Sequence, residues 1–565
     1  MMIKRIMVIL LLLFLLIPFF PYAESSKHDV KDWTFMVYLT ADNDLEGAGI
    51  EDINEMEVAG STAEVNIIVE LDRAVGYDTS NGDWTDTKRY YVTHDPDGND
   101  GIIDSEIILE LGERNHGDKN SLVDFVLWTV ENYPAKHYLL CLWNHGGGFH
   151  GVCWDDNNET EEDDDWLTMQ EVKLALTEIT TKLGRDIDIL AYDACSMSAV
   201  SVRYQTITTA DITICSGPLV PGEGWPYDTI CMDLITNPAM TPSEFAKVIV
   251  DRYVESYEPG EGEEGDVPDA TLAAFDMHKF NELSARIDEF AMVLATYSGD
   301  FLEGGYNPQI RAGMEATYHY GVNLGPVSVG SMYDIRDFAY KIKNVPLIEP
   351  LIKDRAEALI NAIDAACIHF AITKGISNMY PQVKGLSIYI PADINQEYNE
   401  VYDELDFAKH KYWDEFIHCF KEKKNAENTP PAICVTAPVD DLIITEHTFV
   451  IKGTAFDVGA VEKVEVKIND GEWVTVNGAE TWSYEWKTSP GKHTIYAKSF
   501  DGSQYSTEFE LKVEVLGAKK EVAPTAFWLI IGIVLALAAL AIIVMIIRRK
   551  QAFLFSSTKL IIHRK

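Results

Sequence analysis

Residues 137–148, His-Tyr-Leu-Leu-Cys-Leu-Trp-Asn-His-Gly-Gly-Gly, and residues 186–198, Asp-Ile-Asp-Ile-Leu-Ala-Tyr-Asp-Ala-Cys-Ser-Met-Ser, decide the reading of this chain. Each opens as a short, nearly unbroken apolar run, which predicts a strand covered on both faces, as in a parallel sheet flanked by helices. Each then ends in a reactive group. The strand His137–Trp143 runs into Asn144, His145 and three glycines, and the strand Asp186–Tyr192 runs into Asp193, Ala194 and Cys195. In an open α/β sheet, ligands and chemistry collect at the carboxyl ends of the strands, so these two ends are where a site is expected.

Outward from these runs, strand-like and helix-like stretches alternate from Trp33 to Glu422, the pattern of an α/β domain with a mostly parallel sheet. Further strands are expected at Thr34–Leu39, Val65–Glu70, Tyr90–Thr93 and Ile212–Ser216, with helices at Ser121–Asn132 and Thr168–Thr181. Thr168 followed by Glu171 is a capping box that fixes the second helix's start. Residues 423–431, charged and then Asn-Thr-Pro-Pro, read as a linker. Residues 432–516 carry short alternating strands with turn signals at Asn469-Asp470-Gly471 and Asp501-Gly502, an immunoglobulin-like β-sandwich by pattern. Its expected role is a spacer or adhesive arm.

Two greasy segments set the expected compartment. Residues 1–23 have the layout of a secretory signal, with Lys4 and Arg5, an apolar run and then Ala23. Residues 526–547 carry no charge and, as a helix, reach about 33 Å, enough to cross a bilayer. Arg548, Arg549 and Lys550 follow at once, placing the tail 548–565 in the cytoplasm and the rest outside, at the cell membrane. A formal charge of −44 argues against a nucleic-acid partner, because a phosphate backbone would be repelled. Eight cysteines show no zinc-ligand spacing, and with Cys195 set aside an odd number is left for any disulfides.

A thiolate attacks a carbonyl carbon, and a nearby imidazole takes the thiol's proton and returns one to the leaving amine. Cys195 and His145 supply that pair. The glycines after His145 let the backbone approach a substrate, and the N–H groups of Gly146 and Cys195 are the candidate oxyanion donors. His116 and His150 are weaker candidates for the base, and Asp42 and Asp44 read as a turn with capping carboxylates rather than a metal site.

The pair LWNHGGG and DILAYDACSMS resembles the histidine and cysteine motifs of the clostripain-like cysteine peptidases, relatives of caspases, legumains and gingipains. WTFMVYLTADNDLE near 33, PGEGWPYD at 221–228, TLAAFDM at 271–277, YDIRDFA at 333–339 and GLSIYIP at 385–391 extend the likeness over about residues 33–422. The resemblance implies a caspase-haemoglobinase fold, a dyad of His145 and Cys195 with no third member required, and cleavage of peptides after Arg or Lys. It assigns Asp193, just before the cysteine, to the basic P1 side chain, with Glu223 as a second candidate for that pocket. Relatives also mature by self-cleavage at a basic residue after the histidine, yet residues 146–172 contain no Lys or Arg, leaving Lys173, Lys182 or Arg185, or no processing.

That loop instead carries Asp155, Asp156, Glu159, Glu161, Glu162, Asp163, Asp164 and Asp165, a candidate Ca²⁺ site without EF-hand spacing; otherwise no cofactor is expected. The expected function is a membrane-anchored extracytoplasmic cysteine endopeptidase. Two alternatives stay open: a silent peptidase-like surface binder, and a transpeptidase that resolves the thioester with an amine.

Overall fold

Strand β1 (Lys31–Ala41) is buried from Trp33 onward, and its side chains divide between two cores. Met36 and Tyr38 pack into one, while Phe35, Val37 and Leu39 pack into the other, the two-residue alternation of a strand covered on both faces. Each such fully buried side chain stabilises the fold by about 1.5–3 kcal/mol. The computed structural model describes residues 29–516 apart from 97–99, 157–164, 259–269, 301–303, 321–322, 325–326, 329–331, 391–399, 427–428 and 439–441. The expected signal segment 1–23, the expected membrane span 526–547 and the expected cytoplasmic tail 548–565 lie outside the described residues. Among the described residues no helix is long and apolar enough to cross a membrane.

Around β1 the sheet is built from β2 (Val65–Arg73), β3 (Thr87–Tyr91), β4 (Glu106–Gly112), β5 (Ala135–Trp143), and, after a small hairpin of β6 (Val152–Asp155) and β7 (Asp165–Leu167), β8 (Ile187–Asp193), β9 (Ala210–Cys215), β10 (Thr271–Asp276) and β11 (Cys367–Ile372). The nine strands run in the order β11-β10-β9-β8-β5-β1-β2-β3-β4. From β9 to β2 all pairs are parallel. The mostly parallel sheet expected from sequence therefore holds at the centre, but the two outermost pairings on each side are antiparallel, with β3 and β10 running against the rest. Around β3 the links contain no α-helix, so the chain folds back instead of making the long crossover a parallel pair requires.

Helices α1 (Glu46–Ala59), α2 (Lys119–Asn132), α3 (Met169–Leu183), α4 (Tyr227–Thr236) and α5 (Pro242–Ser256) cover both faces. Leu122 and Val126 of α2 and Leu176 of α3 join one core, and Ile53 of α1, Ile230 of α4 and Phe245 of α5 join the other. The capping box of α3 forms as expected: Glu171 N–H donates to Thr168 Oγ1 at 3.3 Å, and Thr168 N–H donates to Glu171 Oε2 at 3.1 Å.

Among the described residues from Ala432 to Leu516 every element is a strand. Ala432–Ala437 pairs antiparallel with Thr448–Phe456, and Lys463–Ile468 with Gly491–Phe500, in a sandwich of a four-stranded and a five-stranded sheet. A small second unit gathers, among the described residues, Ile443–Phe449, Lys487–Lys492 and 514–516. Within it Thr488 N–H donates to the His447 carbonyl at 3.1 Å.

Candidate active site

Strands β5 and β8 are parallel neighbours, with Trp143 directly opposite Asp193. One residue further, Asn144 N–H donates to the Asp193 carbonyl at 3.2 Å, so the ladder continues past the strand ends. His145 and Cys195 are each the second residue beyond that pair. The register thus brings the two sequence-expected groups to adjacent places at the carboxyl edge of the sheet.

Gly146 fits against the cysteine. A Cβ at this position would lie 2.2 Å from the Cys195 carbonyl oxygen and 2.7 Å from its nitrogen, a space no side chain can share. Gly146→Ala is expected to push the histidine and cysteine loops apart and lower kcat/KM at least about tenfold, since sub-ångström misplacement of reacting groups is costly; steady-state kinetics beside a melting curve checks it. Burial pushes the Cys195 thiol up, against the N–H groups of Val220 and Gly146, which favour the thiolate. Val220 N–H donates to Sγ at 3.3 Å. Ser196, next in the chain, holds a left-handed φ of 62°, a tight bend that presents the preceding side chain away from the strand.

His145 is half-exposed, and its Nε2 lies 2.7 Å from Asp44 Oδ1. Asp44 therefore does not serve as the turn cap expected from sequence. Asn43 does that work, its Oδ1 accepting from Leu45 N–H at 3.0 Å. His116 is fully buried, stacked on Tyr38 and 3.3 Å from Glu70, and is a packing residue. The His150 ring stacks on Phe149, and burial lowers its pKa.

Asp193 is buried, and its Oδ2 accepts from Trp225 N–H at 3.1 Å and from the Tyr227 hydroxyl at 3.0 Å. A second carboxylate, absent from the sequence expectation, joins it. Asp52 of α1 is equally buried and accepts from Trp143 Nε1 at 2.5 Å. A Cβ on Gly224 would stand 3.3 Å from Asp193 Oδ2 and 3.3 Å from Asp52 Oδ2, so both oxygens face the space left by that glycine. Burial pushes Asp193 up to about 7, opposed by the Tyr227 and Trp225 bonds, and raises Asp52 strongly, with the neighbouring Asp193 charge adding to it. Among the described residues neither carboxylate has an ion pair with Lys, Arg or His. Glu223 is instead exposed, on the turn that Gly224 anchors by accepting from the Tyr257 hydroxyl at 2.6 Å. One signal for Asp52 exists in the sequence: it falls on the buried stripe Gly49, Ile53, Met56 of α1, where an unpaired acid is out of place.

All eight cysteines are free thiols; Cys195 and Cys367 are partly buried and the other six are buried. Glu159, Glu161, Glu162, Asp163 and Asp164 of the acidic loop lie outside the described residues.

A thiol and an imidazole on adjacent strand ends of an α/β sheet with a parallel centre define the class. The clostripain family model matches residues 37–420 and a bacterial Ig domain model matches residues 431–497. The chain belongs to the clostripain family. It is 32% identical over 232 residues to clostripain from Hathewaya histolytica, an alignment covering 37% of this chain and 43% of that one, so it spans less than half the length of that relative. Among solved structures, it is similar to a secreted C11 cysteine protease from Bacteroides thetaiotaomicron held with an irreversible peptide inhibitor (20% identity, TM-score 0.48, 67% of this chain and 98% of that one). It is also similar to an inactive zymogen C11 protease from Parabacteroides distasonis (19% identity, TM-score 0.48, with the same coverage).

Proposed function

We propose that this chain is an extracytoplasmic cysteine endopeptidase that cleaves after Arg or Lys through a Cys195 thioester. The observation that supports the reading is the register of β5 and β8, which makes His145 and Cys195 the second residues beyond the opposed pair Trp143 and Asp193, with Gly146 fitted against the Cys195 backbone. In this reading His145 takes the Cys195 proton as the sulfur attacks the scissile carbonyl, and the N–H groups of Gly146 and Cys195 receive the oxyanion. The imidazolium then gives its proton to the departing amine, and water, deprotonated by the same ring, releases the acid.

The basic P1 side chain is received by Asp193 and Asp52. Two buried carboxylates with no cation of their own suit a planar guanidinium, which makes parallel bonds to carboxylate oxygens and supplies the missing positive charge. Ca²⁺ is a further expected ligand of the acidic surface. Anchoring through residues 526–547 would hold the enzyme at the cell surface, and extraction of the full chain by alkaline wash would refute it.

The deciding experiment is turnover of short peptides with Arg, Lys, Asp or Leu at P1 by the full chain, beside Cys195→Ala. Cleavage confined to Arg and Lys supports the reading; cleavage of Leu or Asp alone, or by Cys195→Ala, sinks it. Asp44 is a positioning residue in this scheme, since it holds the His145 ring by Nε2. Asp44→Asn is expected to lower kcat about tenfold with KM and the melting temperature nearly unchanged; a stability role alone would move the melting temperature and not kcat.

A further inference from the structure

Arg203 lies on the short helix Val200–Gln205 that follows the Cys195 loop, and its side chain is fully buried. Among the described residues no carboxylate pairs with it; the titratable groups that bear on its charge are the Cys215 and Cys367 thiols and the Tyr192 hydroxyl. Its Nε has no hydrogen-bond partner. A buried cation without an anion beside it is costly, so stability alone is a poor reason for an arginine where an apolar side chain of similar length would fit.

The remaining donors join three pieces of chain. Nη1 donates to the Thr213 carbonyl on β9 at 3.2 Å and to the Thr213 hydroxyl, and Nη2 donates to the Ala273 carbonyl on β10 at 3.2 Å and to Ser198 Oγ at 3.1 Å. The guanidinium carbon stands 4.6 Å from the centre of the Phe275 ring, also on β10. Ser198 closes the loop that carries the sulfur. That loop runs beside residues 216–220: Ser196 N–H donates to the Pro218 carbonyl at 2.9 Å and Ser198 N–H to the Ser216 carbonyl at 2.9 Å. The same segment leaves the sheet at the end of β9 and supplies the Val220 N–H that reaches Cys195 Sγ at 3.3 Å. One guanidinium therefore ties the loop bearing the sulfur to the strand from which the sulfur's hydrogen-bond donor emerges.

We propose that Arg203 is a positioning residue, a clamp that fixes the Cys195 loop against β9 and β10 and so keeps the Val220 N–H aimed at the sulfur. The Val220 and Gly146 N–H groups favour the thiolate against burial, so a loosened clamp leaves the thiol harder to ionise and the sulfur less well aimed. This deepens the reading of Cys195 as the nucleophile and rests on it.

The test compares the full chain with Arg203→Met, Arg203→Lys and Ser198→Ala. Met fills the buried stem without the fork, and Lys keeps the charge but not the planar set of donors. Ala cuts the tie to the loop alone and leaves Arg203 on Thr213 and Ala273. Alkylation of Cys195 by iodoacetamide, followed across pH on its own peptide by mass spectrometry, is expected to shift its midpoint up by about one pH unit in all three, which lowers the rate at neutral pH about tenfold. Asp193, whose charge also bears on this thiol, and His145 are the same in every variant. With an Arg-P1 reporter, kcat is expected to fall about tenfold with KM nearly unchanged, and Ser198→Ala added to Arg203→Met to lower it little further, because both cut one tie. A merely structural arginine would lower the melting temperature and leave the alkylation midpoint in place. A midpoint unmoved in Arg203→Lys and Ser198→Ala overturns the clamp. The two readings fail separately: no peptide turnover by the unsubstituted chain sinks the peptidase, whereas the alkylation midpoint still decides the clamp.

Discussion

Cys195→Ala and His145→Ala are each expected to lower turnover of an Arg-P1 reporter at least about 10⁴-fold, with the double variant losing little more than either alone. Their effects do not add, because the sulfur needs the ring to lose its proton and the ring has no task without the sulfur. Burial pushes the Cys195 thiol up, so unassisted ionisation leaves few thiolates at neutral pH, and removal of the ring is correspondingly severe. The measurement is kcat/KM for the three variants beside melting curves that establish folding. A His145→Ala variant retaining a tenth of wild-type turnover would sink the dyad.

Asp193→Asn is the second large change. Losing one partner of a buried, hydrogen-bonded charge pair costs about 2–5 kcal/mol, so kcat/KM for Arg and Lys peptides is expected to fall about a hundredfold or more while any slow Leu cleavage persists. The pH dependence has a definite sign. The Asp193 carboxyl, held at about 7 by burial, is neutral below that value and cannot pair with a guanidinium. The ratio of kcat/KM for Arg over Leu should therefore rise with pH through about 7, and go flat in Asp193→Asn. Taking the ratio cancels Cys195 and His145, which act on both substrates. Glu55, also held at about 7, bonds Tyr227 N–H at 2.9 Å and will contribute to the same limb, which makes the Asp193→Asn comparison necessary. A ratio independent of pH in the wild type would refute the acid pocket.

What the sequence revealed was what is local. The runs before His145 and Cys195 are strands because unbroken apolar stretches have only one place to go in such a sheet, and the Thr168 to Glu171 box forms because its two bonds span three residues. Edge strands were harder. Glu106–Gly112 is half-exposed along its length, so its alternating acids and aliphatics carry no core signal, and β3 begins at Thr87 rather than Tyr90. The partners of the site were hardest of all. Asp44 and His145 are 101 residues apart, and Asp52 and Trp143 91, with contact created only by the packing of α1 and the β1 turn over the sheet edge. Glu223 drew attention by its motif, yet its side chain is exposed, and the carboxylate beside Asp193 comes from a helix far upstream.

The rung that aligns Trp143 with Asp193 divides labour in this enzyme. The spacing of His145 and Cys195, the proposed base and nucleophile, is a property of backbone ladder geometry, and of the acids that would choose the substrate, Asp193 sits on that same rung while Asp52 comes from a separate helix. Selectivity can thus drift, by exchange of side chains on that helix, without moving the proposed reacting pair, so descendants of this scaffold are free to change diet while keeping their teeth.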